Sequence, residues 1–119
     1  MEQRRQGSVY DLEERTLQYS KDVIGLIRES SKSLSNVEIA RQLVRAAGSV
    51  GANYIEANES LGKKDFLMHV RIARKEAKES RYWLQLLECD KASDAHRARL
   101  IQESTELLKI LSAIIEKSL

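Results

Sequence analysis

The chain has 119 residues, enough for one domain and one thin hydrophobic core. Apolar residues make up 42% and charged residues 32%, with a formal net charge of +2. That near balance excludes a globally basic nucleic-acid protein, so any polyanion must be met by a local patch.

Proline is absent and glycine numbers five, too few turn formers for a sheet protein, so the composition predicts long helices. Residues 1–10, with Arg4 and Arg5, read as a flexible tail, and 11–119 as a single domain. The first helix is expected over Asp11–Lys32, where Leu12, Thr16, Tyr19, Val23, Leu26 and Ile27 recur at spacings of three and four. After Ser33 and Leu34, Ser35 or Asn36 is the expected cap of the second helix, with Glu38 at capping-box spacing from Ser35. That helix is expected over Val37–Asn58, with a stripe of Ala40, Leu43, Ala47, Val50 and Tyr54. Gly48 and Gly51 lie inside it, and each costs about 1 kcal/mol against alanine, which points to close helix approach, a kink or tolerated slack. Gly62 is the expected stop.

The third helix is expected over Lys63–Glu88, with Phe66, Val70, Ala73, Ala77, Ser80, Leu84 and Leu87 on one face. Ser93 or Asp94 then caps a fourth helix that reaches the C-terminus, its stripe running from Leu100 and Ile101 to Ile114 and Ile115. Matched lengths and short connections predict an all-α, up-down-up-down antiparallel four-helix bundle. No apolar run exceeds three residues, which excludes a membrane span, and MEQRRQGSVY lacks the apolar stretch of a signal peptide. The lone Cys89 cannot close an internal disulfide, and a cytoplasmic setting is expected.

Two surface features exceed what a small bundle needs. Met68, Ile72, Trp83 and Leu86 lie to one side of the third helix's core stripe, and the first helix carries a similar pair, Leu17 and Ile24. Ile110 on the fourth also falls outside its stripe. These residues are read as a subunit interface, with a wider core face as the alternative. The second feature is charge. Lys63–Arg81 holds seven bases against Asp65, Glu76 and Glu79. Arg71, Arg74, Lys75, Lys78 and Arg81 fall within about 120° of one helix face, a stripe able to follow a phosphate backbone. The alternative is a solvated face with ordinary pairs such as Lys75–Glu79. Arg41 and Arg45 form a smaller basic pair.

No catalytic or metal constellation is legible: His69, His96 and Cys89 lack zinc spacing, and no Glu-x-x-His pair occurs. No cofactor is expected. Ser49, Asn53 and Glu56 share a face of the second helix and are expected to bond neighbouring helices.

The stretch from Arg45 to Ala57, RAAGSVGANYIEA, followed by Lys64-Asp65-Phe66 and by Ile72 to Leu84, IARKEAKESRYWL, resembles a bacterial family. It is the four-helix-bundle family named after proteins encoded in 23S rRNA intervening sequences, also labelled S23 ribosomal protein, and the likeness spans roughly residues 10–118. Another branch of the family reads SIPxNIAEG, and Gly51 stands here at the place of its proline. The resemblance implies a cytosolic, ring-like homopentamer. A structurally similar relative, the accessory protein of diversity-generating retroelements, is a basic pentamer that engages nucleic acid and reverse transcriptase. By that analogy Arg71, Arg74, Lys75, Lys78 and Arg81 are the contact residues. The expectation is therefore a non-enzymatic homo-oligomer that binds RNA through these residues, with Leu17, Ile24, Met68, Ile72, Trp83 and Leu86 at the subunit contact. The alternative is an oligomeric scaffold that holds a protein partner and binds no nucleic acid.

Overall fold

The computed structural model describes residues 9–119, with side chains from Asp11 onward. Four helices and no strand occur among the described residues: α1 Val9–Arg28, α2 Leu34–Asn58, α3 Lys63–Leu86 and α4 Lys91–Ser118. The expected tail lies outside the described residues except for Val9 and Tyr10, which already belong to α1.

The predicted stripes form most of the core; Ile27, Ala40, Phe66, Ile101, Leu108 and Ile114 are only partly buried against it, and Leu67 is buried beside Phe66. Tyr19, Val23, Leu26, Leu43, Val50, Val70, Leu84, Leu107 and Leu111 are almost wholly buried. Each large aliphatic side chain removed from water in this way contributes roughly 1.5–3 kcal/mol. Ala46, Gly51 and Ala57 are buried beside the expected α2 residues. Ile110 packs partly against the core and does not project as part of an outer strip. α2 packs most extensively on α3, α3 next on α4, α1 on α2, and α1 least on α4.

Side-chain bonds tie the helices together along their lengths. Asn58 donates to the Glu13 carboxylate at 2.9 Å, and Ser20 donates to the Ala47 carbonyl at 3.0 Å. Asn53 meets His69 at 3.3 Å and Arg45 reaches Glu76 at 3.4 Å. Arg15 grips Glu103 through Nε at 2.6 Å and Nη2 at 2.9 Å, which raises the Arg15 pKa. Across the core, the Tyr19 hydroxyl lies 2.7 Å from Ser80 Oγ. No buried side-chain N or O atom among the described residues lacks a partner.

Helix ends differ from the sequence expectation by a few residues, each for a visible reason. α1 stops at Arg28 instead of Lys32, because Glu29 and Ser30 turn back onto the Leu26 and Ile27 carbonyls. α2 is capped by Ser33, whose side chain accepts from Asn36 N, and not by Ser35 or Asn36. Those two are drawn to the end of α3. Ser35 donates to the Glu88 carboxylate at 3.3 Å. The buried Asn36 donates to the Ser31 and Glu88 carbonyls at 2.9 and 3.2 Å and accepts from Glu88 N at 2.7 Å. Glu38 pairs with Arg41 at 3.6 Å instead of closing a capping box. Asp90, not Ser93 or Asp94, caps α4. Ser93 is buried and donates to Glu29, and Asp94 pairs with Arg97. Gly62 does not stop α2, which ends at Asn58; it is the N-cap residue of α3, with extended backbone and no side-chain bond.

The two α2 glycines separate cleanly. A Cβ on Gly51 would stand 2.9 Å from Thr16 Oγ1 and 3.2 Å from Thr16 Cβ, so this glycine permits the close approach of α1. A Cβ on Gly48 would meet nothing within 4 Å.

Candidate nucleic-acid interface

The α3 sequence places its bases by helical geometry. Positions 71, 74, 75, 78 and 81 recur at three and four, so they share a face, and α3 turns that face toward α4 and solvent. Arg71, Lys75 and Lys78 are exposed, while Arg74 and Arg81 are half-buried. The half-buried pair is fixed by α4: Arg74 Nη1 donates to Ser112 Oγ at 3.4 Å, and Arg81 Nη1 donates to Thr105 Oγ1 at 3.2 Å. All five cations and Leu108 line one groove of about 490 Å³. From α4 only Leu108 lines the groove, and no carboxylate lines it.

Glu76 and Glu79 of α3 point elsewhere, while Asp65 lies with Arg71 and Lys75 around a neighbouring cleft. Glu79 accepts Arg45 Nη2 from α2 at 2.5 Å and the Trp83 indole N–H at 3.1 Å. The indole bond first, then Arg45, holds the Glu79 carboxyl below its ordinary pKa. Glu76 is buried and also faces Arg45. Lys75 still attracts Glu79 through space, but the two make no direct ion pair of the kind the solvated-face alternative invoked. None of the ion pairs among the described residues involves Arg71, Arg74, Lys75, Lys78 or Arg81. Arg41 pairs with Glu38, and Arg45 is committed to α3, so the smaller basic pair is divided.

The apolar residues outside the stripes are distributed over two places. On α1, Leu17 is 50% exposed and Ile24 39%. On α3, Met68 and Leu86 are exposed, and Met68 and Ile72 floor a cleft of about 690 Å³ whose rim includes Arg71 and Lys75. Trp83 is half-buried, packs partly against the core and meets Tyr82 edge to face. Sequence reasoning missed the exposed Val37, Val44 and Ile55 of α2. Their signal was their position outside the α2 core stripe. It also missed Leu108 as the α4 lining of the groove, and Ser112 and Thr105 as the partners of Arg74 and Arg81, which no local pattern announces.

The remaining polar candidates have structural partners. Of Ser49, Asn53 and Glu56, only Asn53 bonds a neighbouring helix as expected, reaching His69 on α3; Ser49 bonds Asn53 within α2, and Glu56 is exposed. His69 also lies 3.9 Å from Asp65, and His96 lies 3.3 Å from Glu29. Burial raises the Cys89 thiol pKa. Among the described residues, no three His, Cys, Asp or Glu side chains are grouped to hold a metal, and no helix is long and apolar enough to cross a membrane.

The fold and the groove define an all-α protein of four helices with a cationic channel along one helix pair. Residues 10–113 match the family model of the 23S rRNA-intervening sequence protein, and the chain belongs to that family. It is also similar to a crystal structure of a protein of unknown function from the S23 ribosomal protein family of Bacteroides thetaiotaomicron. That likeness has 28% identity and a TM-score of 0.74, covering 91% of this chain and 97% of the other. No curated protein matches the chain.

Proposed function

We propose that this chain is a non-enzymatic RNA-binding protein whose α3–α4 groove holds the phosphate backbone. The observation behind this reading is the gathering of Arg71, Arg74, Lys75, Lys78 and Arg81 in one groove, with Glu76 and Glu79 turned to α2. Five like charges held together repel one another, and a polyanion relieves that repulsion while releasing its counterions. Backbone contacts of this kind carry no strong sequence preference.

The proposal includes an up-down-up-down bundle. The ordered cross-links support it: Glu13 with Asn58 and Ser20 with Ala47, then Asn53 with His69 and Asn36 with Glu88. It includes a homopentamer, as the resemblance implies, with Leu17, Ile24, Met68, Ile72, Trp83 and Leu86 at the contact. The exposure of Leu17, Ile24, Met68 and Leu86 supports burial against another copy. It also includes a cytoplasmic setting, which the free thiol of Cys89 favours.

The test is an RNA titration at several salt concentrations, with mass measured by light scattering. Up to five phosphate contacts give a slope of log K against log salt of roughly −3 to −4 on a single strand. The Arg74→Glu/Lys78→Glu double variant should lose binding with its helix content intact. Unchanged binding in that variant refutes the groove. A second reading, an oligomeric protein-interaction scaffold, is favoured by Val37, Val44 and Ile55, exposed on α2. Partner binding through such a surface should respond little to salt.

A further inference from the structure

Tyr82 stands in line with the cations. Positions 71, 75, 78 and 82 are separated by four, three and four residues, so Arg71, Lys75, Lys78 and Tyr82 form one row along α3. The row is about 16 Å long at 1.5 Å per residue. Its three bases are exposed, and Tyr82 is 56% exposed at its end.

The tyrosine ring is also held in place. It meets Trp83 edge to face, with centroids 5.1 Å apart and planes at 74°. Trp83 packs partly on the core and donates its indole N–H to Glu79, which Arg45 fixes from α2. A chain of fixed groups therefore backs the ring, and ordering it on a ligand costs little side-chain entropy.

A groove that reads only phosphates needs cations and no exposed aromatic. In a duplex the faces of the bases are stacked on one another, so an aromatic ring beside the backbone finds nothing to stack on. A single strand presents its base faces, and cations interleaved with an aromatic platform suit it.

We propose that the ligand of this groove is single-stranded RNA, with one base stacked on Tyr82 and the adjoining phosphates on Lys78 and Lys75. This inference rests on the groove reading above. The half-buried Arg74 and Arg81, tethered to Ser112 and Thr105, supply charge already in position on the α4 side. Any base has a face to stack, so the platform adds affinity without sequence preference.

The test compares a short oligouridylate with an RNA duplex of equal phosphate number, at low salt, by fluorescence anisotropy. Trp83 is the chain's single tryptophan and touches Tyr82, so its emission reports on a base arriving at the platform. Wild type should favour the single strand and change its Trp83 emission on binding. Tyr82→Ala should weaken the single strand roughly tenfold and leave the duplex unchanged, while Tyr82→Phe should keep wild-type affinity. Because Tyr82 lies at the surface, the alanine variant should retain full helicity by circular dichroism. If Tyr82→Ala binds the oligouridylate as wild type does while Arg74→Glu/Lys78→Glu does not bind, the platform is refuted and the groove stands. A change of oligomer mass in Tyr82→Ala without loss of RNA affinity assigns the ring to a subunit contact and likewise refutes the platform. A wild type that prefers the duplex overturns the single-strand assignment. A wild type that binds neither probe overturns the groove reading itself.

Discussion

Gly48 and Gly51 lie three residues apart in one helix, yet alanine should stabilise the protein at the first and not at the second. Both substitutions gain the same intrinsic term, about 1 kcal/mol, because glycine loses more backbone freedom than alanine on entering a helix. At Gly48 nothing opposes that gain, since no atom lies within 4 Å of the new Cβ. Gly48→Ala should therefore stabilise by about 1 kcal/mol, or a few degrees in Tm. At Gly51 the new methyl would stand 2.9 Å from Thr16 Oγ1 and 3.2 Å from Thr16 Cβ. Rotating Thr16 moves its hydroxyl away but leaves Cβ in place, and rotation also breaks the hydroxyl's bond to the Glu13 carbonyl. Overpacking of this kind costs roughly 1–3 kcal/mol, which cancels or exceeds the propensity gain. The expected net effect of Gly51→Ala is a loss of roughly 0–2 kcal/mol. Urea unfolding followed by far-UV circular dichroism, at one fixed protein concentration, measures both. Thr16→Ala in the Gly51→Ala background should recover part of the loss. Equal stabilisation by the two alanines would show that α1 is not held against Gly51, and the reasoning about close approach would be wrong.

Asn36→Ala should cost about 3 kcal/mol, because it removes three bonds between the two connections and leaves polar backbone at Ser31 and Glu88 without partners. Urea midpoints with an unchanged slope would measure the loss, and a change below about 0.5 kcal/mol would refute the clip. Alkaline pH should weaken the fold through Tyr19, whose burial pushes its pKa to about 12. An unfolded tyrosine ionises near pH 10, so between about 10 and 12 the unfolded state binds fewer protons and stability falls as pH rises. The stabilisation is complete below the unfolded pKa and amounts to up to about 3 kcal/mol. Stability measured across that window should lose this slope in Tyr19→Phe.

Much of the fold is written in the sequence because amphipathic spacing is a local property. Leu12 to Leu26 on α1 and Val70 to Leu87 on α3 are buried as their periods require. The α2 cap slipped by two residues. Ser35 and Asn36 have the right chemistry for a helix start, but Ser33 also has it and caps first, and Glu88, far away in the chain, engages all three side chains. The basic stripe was legible as an angle on α3. That Arg74 and Arg81 are half-buried was not, since their tethers, Ser112 and Thr105, belong to another helix. Tyr82 was within reach of the same angular reasoning. It was overlooked because charge, not the row as a whole, was counted.

The two ends of this molecule are secured unequally. At one end Ser33, Asp90 and Asn36 fasten the turns with side chains. At the other, α3 begins at Gly62 without a side-chain cap, next to a fully exposed Leu61. Amide exchange should therefore differ between the turns, faster around Ser60–Lys63 than where Asn36 meets Glu88. The Leu61 turn is the natural place to splice in a tag or a spectroscopic label, at the far end of α3 from Tyr82.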